Sequence, residues 1–226
     1  MNKEFDWWQK PRKVSVVVDN PSWVVPFCEE LVEILNGAGD QAVLCKNHSD
    51  VQKGDIAFYI GCVHLTPNLV LARNRRNLVA HASDLPKGRG FSPMTWQIIE
   101  GRNKIPLCLI DAVEGVDTGP IILKKIIQFQ GHELIDELRD KLGQAQVELA
   151  MQFLEAEVPL EGKAQVDGGS VYSRRAACDS RLDPELTLSE QFNLLRTIDN
   201  ENYPAFFDFR GHRYQLTIKK TDPEAS

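Results

Sequence analysis

Two hydrophobic periods alternate along the first two thirds of the chain. Residues 13–18 are an almost unbroken β-branched run closed by Asp19-Asn20-Pro21-Ser22, which predicts a buried strand ending in a turn. Between 23 and 35 the apolar positions Val24, Phe27, Leu31, Ile34 and Leu35 recur at helical spacing, and Gly37 and Gly39 supply the stop. Residues 41–45 and 55–60 predict a second and a third strand, and 77–80 a fourth that runs into His81. Strands separated by helices predict a parallel, doubly wound sheet. After a Gly/Pro-rich stretch at 86–93, the pattern predicts a short helix at 94–100 and strands at 105–110 and 121–127. The longest helix is expected over 133–155, with Ile135, Leu138, Leu142, Leu149 and Phe153 on one stripe.

Past Pro159 the texture changes. Residues 162–169 are polar with two adjacent glycines and predict a linker. Beyond it lie a helical piece at 188–198 and an Arg210-Gly211 step between aromatic runs, which predicts a small β-hairpin. The expected fold is therefore α/β. A Rossmann-like parallel sheet flanked by helices occupies 1–160, and a small helix and β-hairpin appendage at 161–226, too short for its own core, packs on it.

Composition narrows the classes. With 42% hydrophobic and 26% charged residues in 226, the chain has the profile of a soluble globular protein. It holds no apolar run of the roughly 18–20 residues a membrane span needs, so no membrane partner is expected. The first eight residues lack the basic and apolar blocks of a secretory signal. Five scattered cysteines with no Cys-x-x-Cys pair predict free thiols and a cytoplasmic location. A net charge of −6 argues against nucleic acid as the main partner, whereas a small anionic ligand needs only a few cations.

Chemistry concentrates at two places. His81 follows a predicted strand, where open α/β sheets bind ligands, and it is followed by Ser83, Lys87, Gly88, Arg89 and Gly90. The glycines permit close backbone approach and the cations suit phosphate or carboxylate; a hydrogen-bonded histidine beside a solvated turn is the competing reading. Asp117-Thr118-Gly119 is the second place. An aspartic protease also uses this triplet but needs a paired second aspartate, and the βαβ pattern does not suit that all-β class; a turn-capping Asp is the plainer alternative.

Together the two segments carry a resemblance. His81-x-Ser83-x-Leu85-Pro86, Gly88-x-Gly90, Pro93, Trp96-Gln97-Ile98-Ile99-Glu100-Gly101 and Asp117-Thr118-Gly119 resemble the folate-dependent formyltransferase family, which includes methionyl-tRNA formyltransferase and the sugar N-formyltransferases. The stretch from Arg196 to Phe207, with Tyr203-Pro204 inside it, is similar to the tail of the sugar branch. The resemblance implies formyl transfer from N10-formyltetrahydrofolate to the amine of a UDP- or dTDP-linked amino sugar, a 4-amino-4,6-dideoxy-hexose for surface polysaccharide. It implies His81 and Asp117 as catalytic residues, and Ser83, Leu85, Arg89, Val113, Glu114 and Val116 at the reduced folate. Lys87, Arg196, Tyr203 and Phe206 are implied for the sugar nucleotide, and a homodimer for the assembly. The family carries Asn two residues before its histidine, where this chain has Val79. Asn77 has the same strand parity but sits about 13 Å from His81 along an extended strand, and is the expected stand-in, with Asn103 or a backbone N–H as alternatives. No metal is expected, since no Cys/His cluster has ligand spacing. The competing functions are methionyl-tRNA formyltransferase and a non-catalytic folate or nucleotide binder.

Overall fold

The computed structural model describes residues 3–221. In chain order come β1 (Lys13–Val17), α1 (Val25–Gly37), β2 (Gln41–Cys45), β3 (Gly54–Tyr59), the short α2 (Asn68–Leu71) and β4 (Asn74–His81). There follow β5 (Arg89–Gly90), α3 (Pro93–Ile99), β6 (Lys104–Asp111), β7 (Ile121–Gln128) and the long α4 (Ile135–Leu154). The last segment carries β8 (Val171–Tyr172), α5 (Phe192–Leu195), β9 (Ala205–Phe209) and β10 (His212–Leu216). No helix among the described residues is long and apolar enough to cross a membrane.

The main sheet runs β2-β1-β3-β4-β6-β7. Its first four strands are parallel. The sheet is α/β and parallel-dominated as expected, but mixed at the other edge, where β6 runs antiparallel to β4, and β7 antiparallel to β6. A parallel neighbour needs a crossover that carries the chain back along the whole strand. The segment after β4 instead stays at that strand's carboxyl end, its one helix the seven-residue α3, so β6 enters from that end and passes His81 at Cys108. Apolar periodicity records burial and not direction.

Alternation along the strands divides the interior. Val14, Val16, Ile56, Phe58, Leu78, Leu107 and Leu109 face a large core closed by α1 and α4. Val17, Cys45, Ala57 and Tyr59 face a smaller cluster with Val70 of α2. Glu137 begins α4 by accepting a hydrogen bond from the Leu134 N–H at 2.9 Å, which satisfies one of the orphan donors of the first turn. Where α4 crosses α1, Gly143 lies against the Phe27 ring with no room for a Cβ.

The predicted linker is seated on the main body: Lys163 bridges Ile121, and β8 adds to β5. The helix expected at 188–198 shrinks to α5. The Glu190 carboxylate takes the Thr187 N–H and hydroxyl, and Gln191 reaches the Asp183 and Leu186 carbonyls, so side chains satisfy backbone groups that a helix would have paired. The hairpin forms as expected, β9 on β10, with Phe207 stacked on Tyr214 at 5.3 Å.

Glu133 ties the tail to the body. It accepts from the N–H groups of Gln130 and Gly131 and from Lys141, and lies 3.7 Å from the buried Arg196 guanidinium. Burial alone would raise its pKa, but these hydrogen bonds outweigh it and hold the carboxyl down to about 2. A carboxyl depressed in the folded state stabilises above its ordinary value of 4.5 and loses that contribution as the pH falls toward 2. Glu133→Gln is expected to lower the urea midpoint at neutral pH and to flatten its decline in acid, measured from pH 7 down to about 2; parallel curves for the two proteins would contradict this role.

Candidate active site

His81 is the last residue of β4 and is buried. Its Nε2 lies 2.8 Å from the Gly88 carbonyl, and its Nδ1 lies 3.3 Å from Asp117 Oδ2. A carbonyl can only accept, so Nε2 is seated as the donor to Gly88, and Nδ1 is turned toward the carboxylate. The chain bends back over the imidazole because Gly88 and Gly90 take positive φ, 72° and 96°, a region open to glycine at no steric cost. A Cβ at Gly90 would meet the Tyr172 carbonyl at 2.5 Å.

Asp117 comes from the loop between β6 and β7 and has φ 52°, a left-handed conformation that Asp tolerates better than most residues. Its Oδ2 accepts the Gly90 N–H at 2.8 Å, while its Oδ1 makes no hydrogen bond within the described protein. Gly119 is packed so tightly against the Asp111 carbonyl that no side chain fits there. Gln165, from the predicted linker, donates to the Asp117 and Gly119 carbonyls at 2.8 Å each and accepts from Arg89 at 2.8 Å. Three distant segments thus converge on one residue, His81 and Gly90 at the carboxylate and Gln165 at the backbone carbonyl.

The pair opens on a cleft of about 660 Å³, within the usual range for small-molecule sites. Val113, Glu114 and Val116 line it beside Asp117, as do Trp23, Cys62, His64 and Phe91. Asp111 also lines it. Burial raises its carboxyl above the ordinary range despite Arg76 at 2.9 Å.

Several expected residues are elsewhere. Asn77 is not beside His81. Its amide donates to the Leu71 carbonyl at 2.9 Å and its oxygen accepts from the Tyr59 hydroxyl, so it fastens β4 to the last residue of α2 and the end of β3. Arg196 is fully buried and bonds Asn103 at 2.5 Å, a tail anchor outside the cleft lining, which also occupies Asn103. Lys87 is exposed and Arg89 serves Gln165; neither lines the cleft. Ser83 is buried, and Leu85 packs with Cys108 and Ile110. Phe206 lies under the Arg213 guanidinium at 4.2 Å in the hairpin. Tyr203 does line the cleft.

The cations that face the cleft are Arg139, Arg174 and Arg175. Arg139 pairs with Asp199 at 2.8 Å, and Arg174 lies over Phe91 at 4.6 Å. Gln146 also lines it, one stripe of α4 bringing Ile135, Arg139, Leu142 and Gln146 to the same side. It is 5% exposed, and its Oε1 is buried without a partner. A buried amide without protein partners is costly and suits a ligand that supplies the hydrogen bonds. The helical spacing 135, 139, 142, 146 was visible in sequence, but a polar residue in a helical stripe reads as surface until the cleft is known.

A carboxylate and a histidine meeting at the strand ends of an open α/β sheet, beside a cleft with cationic and aromatic walls, describe the site of a group-transfer enzyme that uses acid–base chemistry. A family model described as formyl transferase matches residues 39–154, just over half of the chain, and the protein belongs to that family. Methionyl-tRNA formyltransferase of Desulfotalea psychrophila is 30% identical over 156 residues, which cover 64% of this chain and 47% of that one. The chain spans from a third to little more than half of the length of the curated relatives it matches. Among solved structures, methionyl-tRNA formyltransferase from Clostridium thermocellum superposes with a TM-score of 0.77 at 20% identity, covering 94% of each chain. A sugar N-formyltransferase from Shewanella gives 0.66 at 16% identity, covering 94% of this chain and 99% of that one. The formyltransferase PseJ from Anoxybacillus kamchatkensis, in complex with UDP-4,6-dideoxy-4-formamido-L-AltNAc and tetrahydrofolate, gives 0.54 at 21% identity, covering 72% and 85%.

Gln165→Leu leaves the Asp117 and Gly119 carbonyls without their donor. It is expected to cost about 1–2 kcal/mol in urea unfolding at unchanged m; a change within about 0.3 kcal/mol would remove Gln165 from this role.

Proposed function

We propose that this protein transfers the formyl group of N10-formyltetrahydrofolate to the amine of a UDP- or dTDP-linked amino sugar, a 4-amino-4,6-dideoxy-hexose, in surface polysaccharide biosynthesis. The observation that carries the reading is the His81–Asp117 contact opening on a cleft with the arginines and aromatic rings that a nucleoside diphosphate requires. Arg139, Arg174 and Arg175 suit the diphosphate, and Trp23, Phe91 and Tyr203 offer faces for a base. The likeness to sugar N-formyltransferases supports the same choice of acceptor.

In this reading Asp117 and His81 divide the work. Asp117 Oδ2 is committed to Gly90 and the imidazole, so the free Oδ1 takes the proton from the attacking amine. The amine nitrogen bonds to the formyl carbon, and the tetrahedral oxyanion collapses as the bond from that carbon to N10 breaks. The proton ends on N10, leaving tetrahydrofolate and a formamide. His81, held by the Gly88 carbonyl through Nε2 and lying beside Asp117 through Nδ1, orients Asp117 and supports the developing negative charge. Val113, Glu114 and Val116 border the folate, and residues 161–226 form a subdomain that supplies Arg174, Arg175 and Tyr203 to the acceptor. A cytoplasmic location and a homodimer complete the proposal.

Formyl transfer to methionyl-tRNA is the second reading, favoured by the name of the curated relatives. Incubation with N10-formyltetrahydrofolate and either a panel of UDP- and dTDP-linked amino sugars or methionyl-tRNA, followed by mass spectrometry, separates the two. A formylated sugar nucleotide is expected; formylated methionyl-tRNA alone would reverse the assignment, and no formylated product despite folate binding would leave a binder. His81→Ala and Asp117→Ala are each expected to reduce turnover by at least about a hundredfold, and near-normal turnover in both would overturn the site.

A further inference from the structure

Outside the His81–Asp117 pair, three ligating side chains meet at the carboxyl ends of β2, β1 and β3. Asp19 follows β1, His48 follows β2, and Cys62 follows β3 behind Gly61, which turns the chain at φ 64°. One oxygen, nitrogen or sulfur atom from each lies within 4.8 Å of the other two, and Asp19 Oδ2 is 3.2 Å from His48 Nε2. Zinc bonds of about 2.0–2.3 Å in a tetrahedron put ligand atoms about 3.3–3.8 Å apart, so small movements would close the set around one ion.

The hydrogen bonding leaves this cluster incomplete. Asp19 Oδ1 accepts from Asn20 and the Val63 N–H, and Oδ2 from the N–H and ring of His64. Those four donors fill the carboxylate's lone-pair positions, and His48 Nε2 is left buried without a hydrogen-bond partner. The His64 ring is 73% exposed and can swing out to free Oδ2. The Cys62 thiol donates to the Val17 carbonyl at 3.4 Å. Burial, with the nearby Asp19 charge, pushes this thiol up to about 12. Asp19 is the opposite case: burial alone would raise it, but its hydrogen bonds hold it down to about 2.

We infer that Asp19, His48 and Cys62 bind one zinc ion, with His64 or a water in the fourth position. The ion gives His48 Nε2 the acceptor it lacks, and it replaces the Cys62 proton with a positive charge that Asp19 also meets. Imidazole, thiolate and carboxylate together suit zinc. Cys62 and His64 line the cleft, as do Asn20 and Gly61, so the ion would pin three strand ends into one wall of the site. The sequence hides this because the ligands come from three separate loops and only Cys62-x-His64 is local.

Cobalt(II) is the probe, because a thiolate ligand gives it a charge-transfer band in the near ultraviolet. Cys178 is exposed, and Cys28, Cys45 and Cys108 are buried, so Cys178→Ser is the background and leaves Cys62 as the accessible thiol. Saturation at equimolar cobalt with that band is expected, as are loss of the band in Cys62→Ser and at least about tenfold weaker binding in His48→Gln. No band in the background protein, a band that survives Cys62→Ser, or unchanged affinity in His48→Gln overturns the site. Should Cys62→Ser fail to fold, equimolar zinc must slow thiol labelling of the background protein at least about tenfold; an unchanged rate also overturns it.

Discussion

The candidate site depends on one carboxylate oxygen. Asp117 Oδ2 accepts the Gly90 N–H and lies 3.3 Å from the His81 ring, so the loop between β6 and β7 is joined there to the glycine-rich segment and to the end of β4. The two side chains are almost removed from water, 7% and 12% exposed. A pair so placed is costly unless further hydrogen bonds support it; the Gly88 carbonyl and the Gly90 N–H supply two, and Asp117 Oδ1 is left unbonded among the described residues. The left-handed backbone of Asp117 and the missing side chain at Gly119 are conditions of the same contact.

The mixed sheet makes this convergence possible. The chain leaves β4 and enters β6 at the same end, so the glycine-rich segment stays folded over His81 instead of travelling away. The loop between β6 and β7 then doubles back to the same place. The tail completes the arrangement, because Gln165 holds the Asp117 loop from outside and the β8 backbone meets β5. Residues remote in sequence therefore shape the carboxylate, and the segment that reads as a linker is part of the site's support.

The cleft draws its chemistry from the same economy of position. α4 is mainly a core helix, yet its stripe through Arg139 and Gln146 turns a cation and an unpartnered amide toward the ligand space. Arg174, Arg175 and Tyr203 arrive from the tail. Cations nearer to His81 in sequence have other partners or face solvent: Arg89 is spent on Gln165, and Lys87 points outward.

Most elements were legible in the sequence because burial imposes its period locally: the first strands, the α1 and α4 helices and the aromatic hairpin fall close to where apolar spacing puts them. His81 and Asp117 were legible too, since a histidine past a strand and an Asp-Thr-Gly turn are local signatures. Strand direction was not, because a buried strand has the same apolar run whichever way it points. Nor were the fates of Asn77, Arg196 and Phe206, whose side chains are claimed by Leu71, Asn103 and Arg213. Sequence determines which groups a segment offers; only the folded chain decides which of them find a protein partner and which are left for a ligand, because that competition is settled between segments far apart along the chain.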